Sequence, residues 1–106
     1  MTDITGRVAF ITGAASGIGY SLAKSFAARG AKIMMADRNA ETLQRAENDL
    51  RATGADLASV VCDVTSLDSM KAAAQATLDR FAKVHIVANN AGVPMGGKPG
   101  RIPMED

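Results

Sequence analysis

Short apolar runs alternate along the chain with segments whose apolar residues recur at helical spacing. The runs predict four strands, at residues 7–12, 32–36, 57–62 and 84–88. Because each run is almost continuously apolar, it is typical of a strand that is covered on both faces. Strands that alternate with helices form parallel sheets with helices on their faces, so the pattern predicts an α/β fold.

The segments between these strands each predict one helix. Asn39 is placed to cap the second helix, and the sequence Thr65–Asp68 is typical of the start of the third, with a hydroxyl cap followed by an acid. Spacings of three and four residues predict which side chains face the core. These are Ile18, Leu22 and Phe26 in the first helix, Leu43, Ala46 and Leu50 in the second, and Leu67, Met70, Ala74, Leu78 and Phe81 in the third.

Composition excludes several classes of protein. The 106 residues carry 12 basic and 11 acidic side chains, mixed along the chain, so no patch indicates nucleic acid or an acidic membrane as a partner. No apolar run approaches the roughly 18 residues of a membrane-spanning helix, and the N-terminus has no signal-peptide pattern. Cys62 is the only cysteine and follows two valines, which favours a buried strand residue over a reactive thiol. We expect a cytoplasmic protein.

A glycine-rich turn between the first strand and the first helix is the strongest chemical signal. It reads T-G-A-A-S-G-I-G from Thr12. Glycines let the backbone approach a pyrophosphate closely, and the N-terminus of the helix offers free N–H groups and the positive end of its dipole. The predicted phosphate-binding residues are Gly13, Ser16, Gly17, Ile18 and Gly19. An ordinary turn between a strand and a helix is the alternative.

An acid at the end of the second strand completes a dinucleotide-binding pattern. Asp37 follows Gly19 by 18 positions, near the spacing at which a carboxylate accepts hydrogen bonds from the adenosine ribose. A carboxylate there repels the 2′-phosphate of NADP, so Asp37 favours NAD. The neighbouring Arg38 could pair with such a phosphate, but a solvated loop charge is the favoured interpretation of this residue. We therefore place NAD ahead of NADP.

The order T-G-A-A-S-G-I-G, C-D-V and N-N-A-G after the first, third and fourth strands resembles the short-chain dehydrogenase/reductase family over essentially the whole chain. The resemblance implies that Asp63 bonds the adenine amino group and that the Val64 backbone lies beside the base. It also implies that Asn90, Ala91 and Gly92 pack against the ribose and phosphates. Taken without the family, Asp63 and the Asn89–Asn90 pair would be ordinary turn residues.

The predicted fold is part of a three-layer Rossmann-type sheet, with strand order 3-2-1-4. Residues 1–92 would form the NAD(P)-binding half-domain, and residues 93–106, rich in Gly and Pro, an irregular tail at the start of a missing catalytic half. The fourth strand would then lie at the edge of the sheet. Because open edges and uncovered apolar surface favour self-association, we expect a homo-oligomer.

Residues for hydride-transfer chemistry are missing from the expected places. The resemblance implies an Asn, Ser, Tyr and Lys tetrad beyond the fourth strand, which this sequence does not reach. Tyr20 and Lys24 have the Y-x-x-x-K spacing, but they lie in the phosphate-binding helix, so we assign no catalytic residue. His85, where the family often has aspartate, is the only histidine, so neither a histidine metal cluster nor a Ser-His-Asp triad is expected.

Two functional hypotheses remain. The first is the NAD(H)-preferring cofactor-binding part of a truncated or partly observed oxidoreductase that acts on an alcohol or carbonyl substrate. The second is a non-catalytic nucleotide-binding or assembly module that ends naturally at Asp106. A methyltransferase on the same half-fold is disfavoured by the spacing of the glycine turn and by N-N-A-G.

Overall fold

The computed structural model describes residues 3–90 and 100–103, which form a five-stranded sheet with three helices. The strands are β1 (Val8–Thr12), β2 (Lys32–Asp37), β3 (Leu57–Val61), β4 (Ile86–Asn89) and β5 (Gly100–Pro103). The helices are α1 (Gly17–Ala28), α2 (Ala40–Arg51) and α3 (Leu67–Phe81). The first four strands and the helices lie where the alternation of apolar runs predicts them, with ends that differ by one or two residues.

The strand order is β3-β2-β1-β4-β5, and β1 pairs in parallel with both β2 and β4. The predicted order 3-2-1-4 is therefore confirmed. Thr12 at the end of β1 is level with Ala36 on one side and with Asn89 on the other. This register brings the carboxyl ends of three strands, and the loops that follow them, to the same edge of the sheet.

The prediction of a wholly irregular tail is wrong for its last described segment. Gly100–Pro103 forms β5, which pairs antiparallel with β4, so β4 is not the edge of the described sheet. Glycine and proline weaken the strand signal in the sequence. Pairing with β4 overrides that signal, because it satisfies the backbone donors and acceptors that β4 would otherwise expose. Residues 91–99 lie outside the described part of the chain.

The helix starts follow their capping residues. The Asn39 side chain accepts a hydrogen bond from the Thr42 N–H at 3.0 Å, and the Ser66 hydroxyl accepts one from the Ser69 N–H at 3.1 Å. Both predicted starts are confirmed. Across residues 3–90 and 100–103, none of the helices combines the length and apolar character that crossing a bilayer requires.

The two faces of the sheet are covered unequally. On one face, α1 and α2 pack over buried strand residues such as Ile11, Ile33 and Leu57. On the other, α3 packs over Phe10 and Met34, where the buried cluster is smaller. Within the described residues, the second face therefore has the thinner core.

Three side chains predicted to face the core of α3 are exposed instead. Leu67 is 69% exposed and Leu78 45% exposed, and Ala74 is also exposed, whereas Ala73 and Thr77 are fully buried. The helix is rotated so that Ala73 and Thr77 meet the sheet, with Met70 and Phe81 partly buried beside them, whereas Leu67 and Leu78 lie on its outer side. In α1, Ile18 is likewise exposed, because it precedes the part of the helix that packs on the sheet.

His85 joins the start of β4 to the start of β1. Its backbone N–H donates to the Val8 carbonyl at 2.8 Å, and its Nδ1 accepts from the Val8 N–H at 2.9 Å. One residue thus satisfies both backbone groups of Val8 where the strands begin to pair. The position demands an acceptor, which explains how an imidazole can stand where the family often has a carboxylate.

Replacing one buried and one exposed helical leucine tests the assignment of the core. Leu50→Ala should lower the free energy of unfolding by about 2–5 kcal/mol, because Leu50 is 1% exposed and its loss leaves a cavity. Leu78→Ala should lower it by less than about 1 kcal/mol, because the side chain is largely solvated. Urea denaturation of both variants checks this, and equal losses would contradict the exposed position of Leu78.

Candidate functional site

A cleft of about 480 Å³ opens at the carboxyl ends of the central strands. It lies between the loops that follow β1, β2, β3 and β4, where the chain leaves the sheet on opposite sides. Open α/β sheets bind ligands at such a point. Eight predicted site residues line it: Gly13, Ser16, Ile18, Gly19, Asp37, Arg38, Val64 and Asn90.

The glycine turn depends on two positions where a side chain would not fit. Gly13 has a φ of 63°, in the left-handed region that glycine adopts at little cost. A Cβ on Gly19 would lie 2.0 Å from the Gly13 carbonyl oxygen. The first turn of α1 therefore packs directly on the turn backbone, and the floor of the cleft is main chain.

The N-terminus of α1 differs from those of the other helices. Ser16 is its N-cap, but its side chain makes no capping hydrogen bond to the described residues, and the first turn holds no acid. By contrast, Asn39 and Ser66 cap α2 and α3, with Glu41 and Asp68 in their first turns. The first N–H groups of an α-helix lack partners within the helix. At the start of α1 these N–H groups face the cleft, and no carboxylate in the same turn competes for them. The position therefore suits an anionic ligand.

Asp37 is held in place at the end of β2. Its Oδ2 accepts a hydrogen bond from the Ala15 N–H at 3.2 Å, and its Oδ1 accepts one from the Asn39 N–H at 3.1 Å. The carboxylate therefore lies between the glycine turn and the start of α2. Arg38, which also lines the cleft, is exposed.

Asp63 anchors the loop between β3 and α3. Its Oδ1 accepts from both the hydroxyl and the N–H of Thr65, at 2.7 and 2.9 Å, and its own N–H donates to the Ser69 hydroxyl at 2.8 Å. The hydrogen bonds from the Thr65 hydroxyl and N–H lower the pKa of Asp63 below its usual 3.8, and the charge of Arg38 adds a smaller effect in the same direction. The carboxylate is thus ionised at neutral pH.

A threonine hydroxyl links the ends of β1 and β4. Thr12 Oγ1 donates to Asn89 Oδ1 at 2.8 Å and accepts from the Asn90 N–H at 3.0 Å. The Asn90 side chain lines the cleft, and its buried Nδ2 has no hydrogen-bond partner among the described residues. A buried amide without a partner costs free energy, so this donor fits a ligand that brings an acceptor into the cleft.

Two of the predicted residues within the described part of the chain do not line the cleft. Gly17 and Asp63 are not among the described residues that line the cleft, although each adjoins one that is. Ala91 and Gly92 lie outside the described residues. Two lining residues were not predicted, Cys62 and Thr65. Cys62 is buried as expected. For Thr65 the available signal was its place two residues after an aspartate, which is typical of an Asx turn.

Tyr20 and Lys24 do not face this cleft. Tyr20 lines a separate cavity between α1 and α2, with Thr42, Arg45 and Asp49. Lys24 lines another cavity, near the C-terminal end of α1. The Y-x-x-x-K spacing in α1 therefore places neither side chain in the cleft.

The site as a whole fits a dinucleotide. The glycine turn and the free N-terminus of α1 suit a pyrophosphate, a fixed carboxylate at the end of β2 suits a ribose, and Asn90 offers an unpaired donor. Together with the strand order 3-2-1-4, these features define a Rossmann-type α/β unit whose cleft has the features of a dinucleotide site.

The family model for short chain dehydrogenases matches residues 7–106, so the chain belongs to the short-chain dehydrogenase family, whose members are oxidoreductases. A similar protein is 1-deoxy-11-beta-hydroxypentalenate dehydrogenase of Streptomyces arenae. It is 41% identical over 101 residues, a stretch that covers 93% of this chain and 36% of that protein.

Two solved structures share this fold. A short chain dehydrogenase/reductase from Burkholderia phymatum, in complex with NAD, has a TM-score of 0.85 and 43% identity, covering 88% of this chain and 33% of the other. L-sorbose reductase from Gluconobacter frateurii, complexed with NADPH and L-sorbose, has a TM-score of 0.82 and 35% identity, covering 87% and 36%. The chain thus spans about a third of each of these three proteins.

Gly19→Ala tests the close packing of α1 on the glycine turn. The added Cβ has to displace the Gly13 carbonyl, so we expect a loss of about 1–3 kcal/mol in unfolding free energy and at least a tenfold loss in NADH affinity. Thermal unfolding and NADH fluorescence titration measure the two effects. Ser21→Ala, on the exposed side of the same helix, is the control and should change neither. Unchanged NADH affinity in Gly19→Ala would contradict this geometry.

Thr65→Val tests the cause of the lowered pKa of Asp63. Without the hydroxyl donor, the pKa of Asp63 should rise toward 3.8, which a carboxyl NMR titration measures. Because the folded-state pKa is depressed, the stabilisation by Asp63 is present above about pH 4 and is lost as the pH falls through the folded-state value. Thr53→Val, whose hydroxyl bonds the Leu50 carbonyl elsewhere, should leave the titration unchanged. An unshifted Asp63 in Thr65→Val would exclude the hydroxyl as the cause.

Proposed function

We propose that the chain is the cofactor-binding part of an oxidoreductase that prefers NAD(H) and acts on a small alcohol or carbonyl substrate. The observation that carries this is the fixed Asp37 carboxylate, which borders the same cleft as the glycine turn and the free N-terminus of α1. When bound, a nicotinamide cofactor would supply the hydride exchange. The residues of this chain would bind and orient it.

Each end of the cleft would hold one part of the cofactor. Ser16 and the first N–H groups of α1 would bind the pyrophosphate, and Asp37 would accept hydrogen bonds from the adenosine ribose. Asp63, whose pKa the hydrogen bonds from Thr65 lower, would accept a hydrogen bond from the adenine amino group, with the Val64 backbone beside the base. Asn90 would donate its unpaired Nδ2 to the ribose and phosphate region, where Ala91 and Gly92 are also predicted to pack.

The preference for NAD over NADP depends on the balance between two neighbouring charges. Asp37 borders the cleft, and two hydrogen bonds fix its carboxylate. The additional 2′-phosphate of NADP would therefore be repelled by a negative charge that is held in place. Arg38 is exposed and could attract such a phosphate. Because the anion is fixed and the cation solvated, we expect the repulsion to dominate. Both cofactors occur among similar structures, in the Burkholderia and Gluconobacter proteins.

We assign proton transfer to none of the described residues. Tyr20 and Lys24 border other cavities, and the acid/base group would instead belong to the Asn, Ser, Tyr and Lys tetrad that the family resemblance implies beyond the fourth strand. We further propose that the protein is cytoplasmic and self-associates as a homo-oligomer. Leu67 and Leu78 on α3 are exposed apolar side chains that such a contact between chains could cover.

A non-catalytic nucleotide-binding or assembly module is the second candidate. It would hold a nucleotide in the same cleft and would need no catalytic group. Intact mass of the purified native protein, followed by NADH titration and an alcohol dehydrogenase assay, separates the two. Binding without turnover at a mass near 11.0 kDa would favour the module, and a larger mass with turnover would favour the oxidoreductase.

Asp37→Ala tests the proposed cofactor preference. We expect NADH affinity to fall about tenfold or more, because hydrogen bonds to a charged group are lost, and NADPH affinity to fall less, because the repulsion of its 2′-phosphate is removed as well. Fluorescence titration with both cofactors gives the ratio. Asp79→Asn removes the same charge from the exposed side of α3 and should leave that ratio unchanged. If Asp37→Ala also leaves it unchanged, Asp37 does not contact the ribose.

A further inference from the structure

Both oxygens of the Asp37 carboxylate accept hydrogen bonds from backbone N–H groups of the chain itself. The Ala15 N–H donates to Oδ2 from the glycine turn, and the Asn39 N–H donates to Oδ1 from the start of α2. The first of these bonds joins residues 22 positions apart in the sequence. Asp37 thus connects the phosphate-binding turn with the loop that follows β2.

Two consecutive amides of the turn are bound to the end of β2. The Ala14 N–H donates to the backbone carbonyl of Ala36 at 3.1 Å, and the Ala15 N–H donates to the side chain of Asp37 at 3.2 Å. The first bond is independent of side-chain identity. The second exists only because residue 37 carries an acceptor of the right length.

We propose that Asp37 is a positioning residue for the glycine turn as well as a ribose ligand. Its bond to Ala15 sets the conformation of the turn that would hold the pyrophosphate, and the same bond fixes the carboxylate that would bind the ribose. The two parts of the cofactor site are therefore coupled through one side chain. The role of Asp37 as a ribose ligand rests on the proposed function, whereas its hydrogen bond to the glycine turn does not.

The bonding pattern explains why a carboxylate suits this position. A carboxylate offers about four acceptor sites, so after two backbone N–H groups are bound, about two remain for two ribose hydroxyls. An asparagine has one acceptor oxygen, and its NH₂ group would oppose the N–H of either Ala15 or Asn39. Replacing Asp37 by Asn should therefore disturb the apo protein, before any ribose is present.

Amide hydrogen exchange of the ¹⁵N-labelled protein without nucleotide tests the proposal. In Asp37→Ala, exchange at Ala15 should accelerate about tenfold or more, because the charged acceptor is lost. In Asp37→Asn, the more conservative variant, the Ala15 or Asn39 amide should accelerate. In Asp79→Asn, the matched charge control, both amides should exchange as in the wild type. Amides of β3, away from the turn, report whether each variant is folded.

NADH titration of the same samples separates this proposal from the proposed function. Faster exchange at Ala15 in the Asp37 variants, with no NADH binding in the wild type, would support the positioning role and refute the proposed binding of NADH. Weaker NADH binding in folded Asp37 variants, with wild-type exchange at Ala15 and Asn39, would overturn the positioning role and leave Asp37 as a ligand only. Both effects together are the expected result.

Discussion

The contact between Gly13 and Gly19 is the constraint on which the cleft depends. Helix α1 can begin directly against the backbone of the preceding turn only because residue 19 has no side chain. That approach directs the first N–H groups of α1 at the same edge of the sheet where β2 and β4 end. Any larger residue at position 19 would push the helix away from the turn and separate the donors from Asp37 and Asn90. The geometry of the site is thus fixed first by the backbone and only then by side chains.

Hydrogen bonds hold the walls of the cleft in place without a ligand. The Thr12 hydroxyl joins the ends of β1 and β4, Asp37 joins the glycine turn to α2, and the Ser69 hydroxyl holds the loop at Asp63. Each is a short polar side chain that satisfies backbone groups just beyond the end of a strand. A site held in this way loses little conformational freedom when it binds, so more of the contact energy remains as affinity.

The sequence predicts the elements and most of the cleft because both follow from local signals. Asn39 marks a helix start by its side chain, and the glycines of the turn mark a close backbone approach. The exposed Leu67 and Leu78 were misassigned because periodicity shows which residues share a helix face, but not which face meets the sheet. β5 was missed because its pairing with β4 is a long-range interaction that overrides weak local propensity. The hydrogen bond from Ala15 to Asp37 depends on tertiary geometry, which the spacing of residues in the sequence does not predict.

The hydroxyl link between Thr12 and Asn90 has a consequence for the order of folding. The two residues are 78 positions apart, so the link forms only after the chain between them has been gathered into the sheet. Local units such as β1-α1-β2 can form with much smaller losses of chain entropy. The glycine turn can therefore take shape early, but the cleft gains its wall from β4 at a late stage. A ligand that needs both sides would bind only the completed sheet and would therefore stabilise it against unfolding.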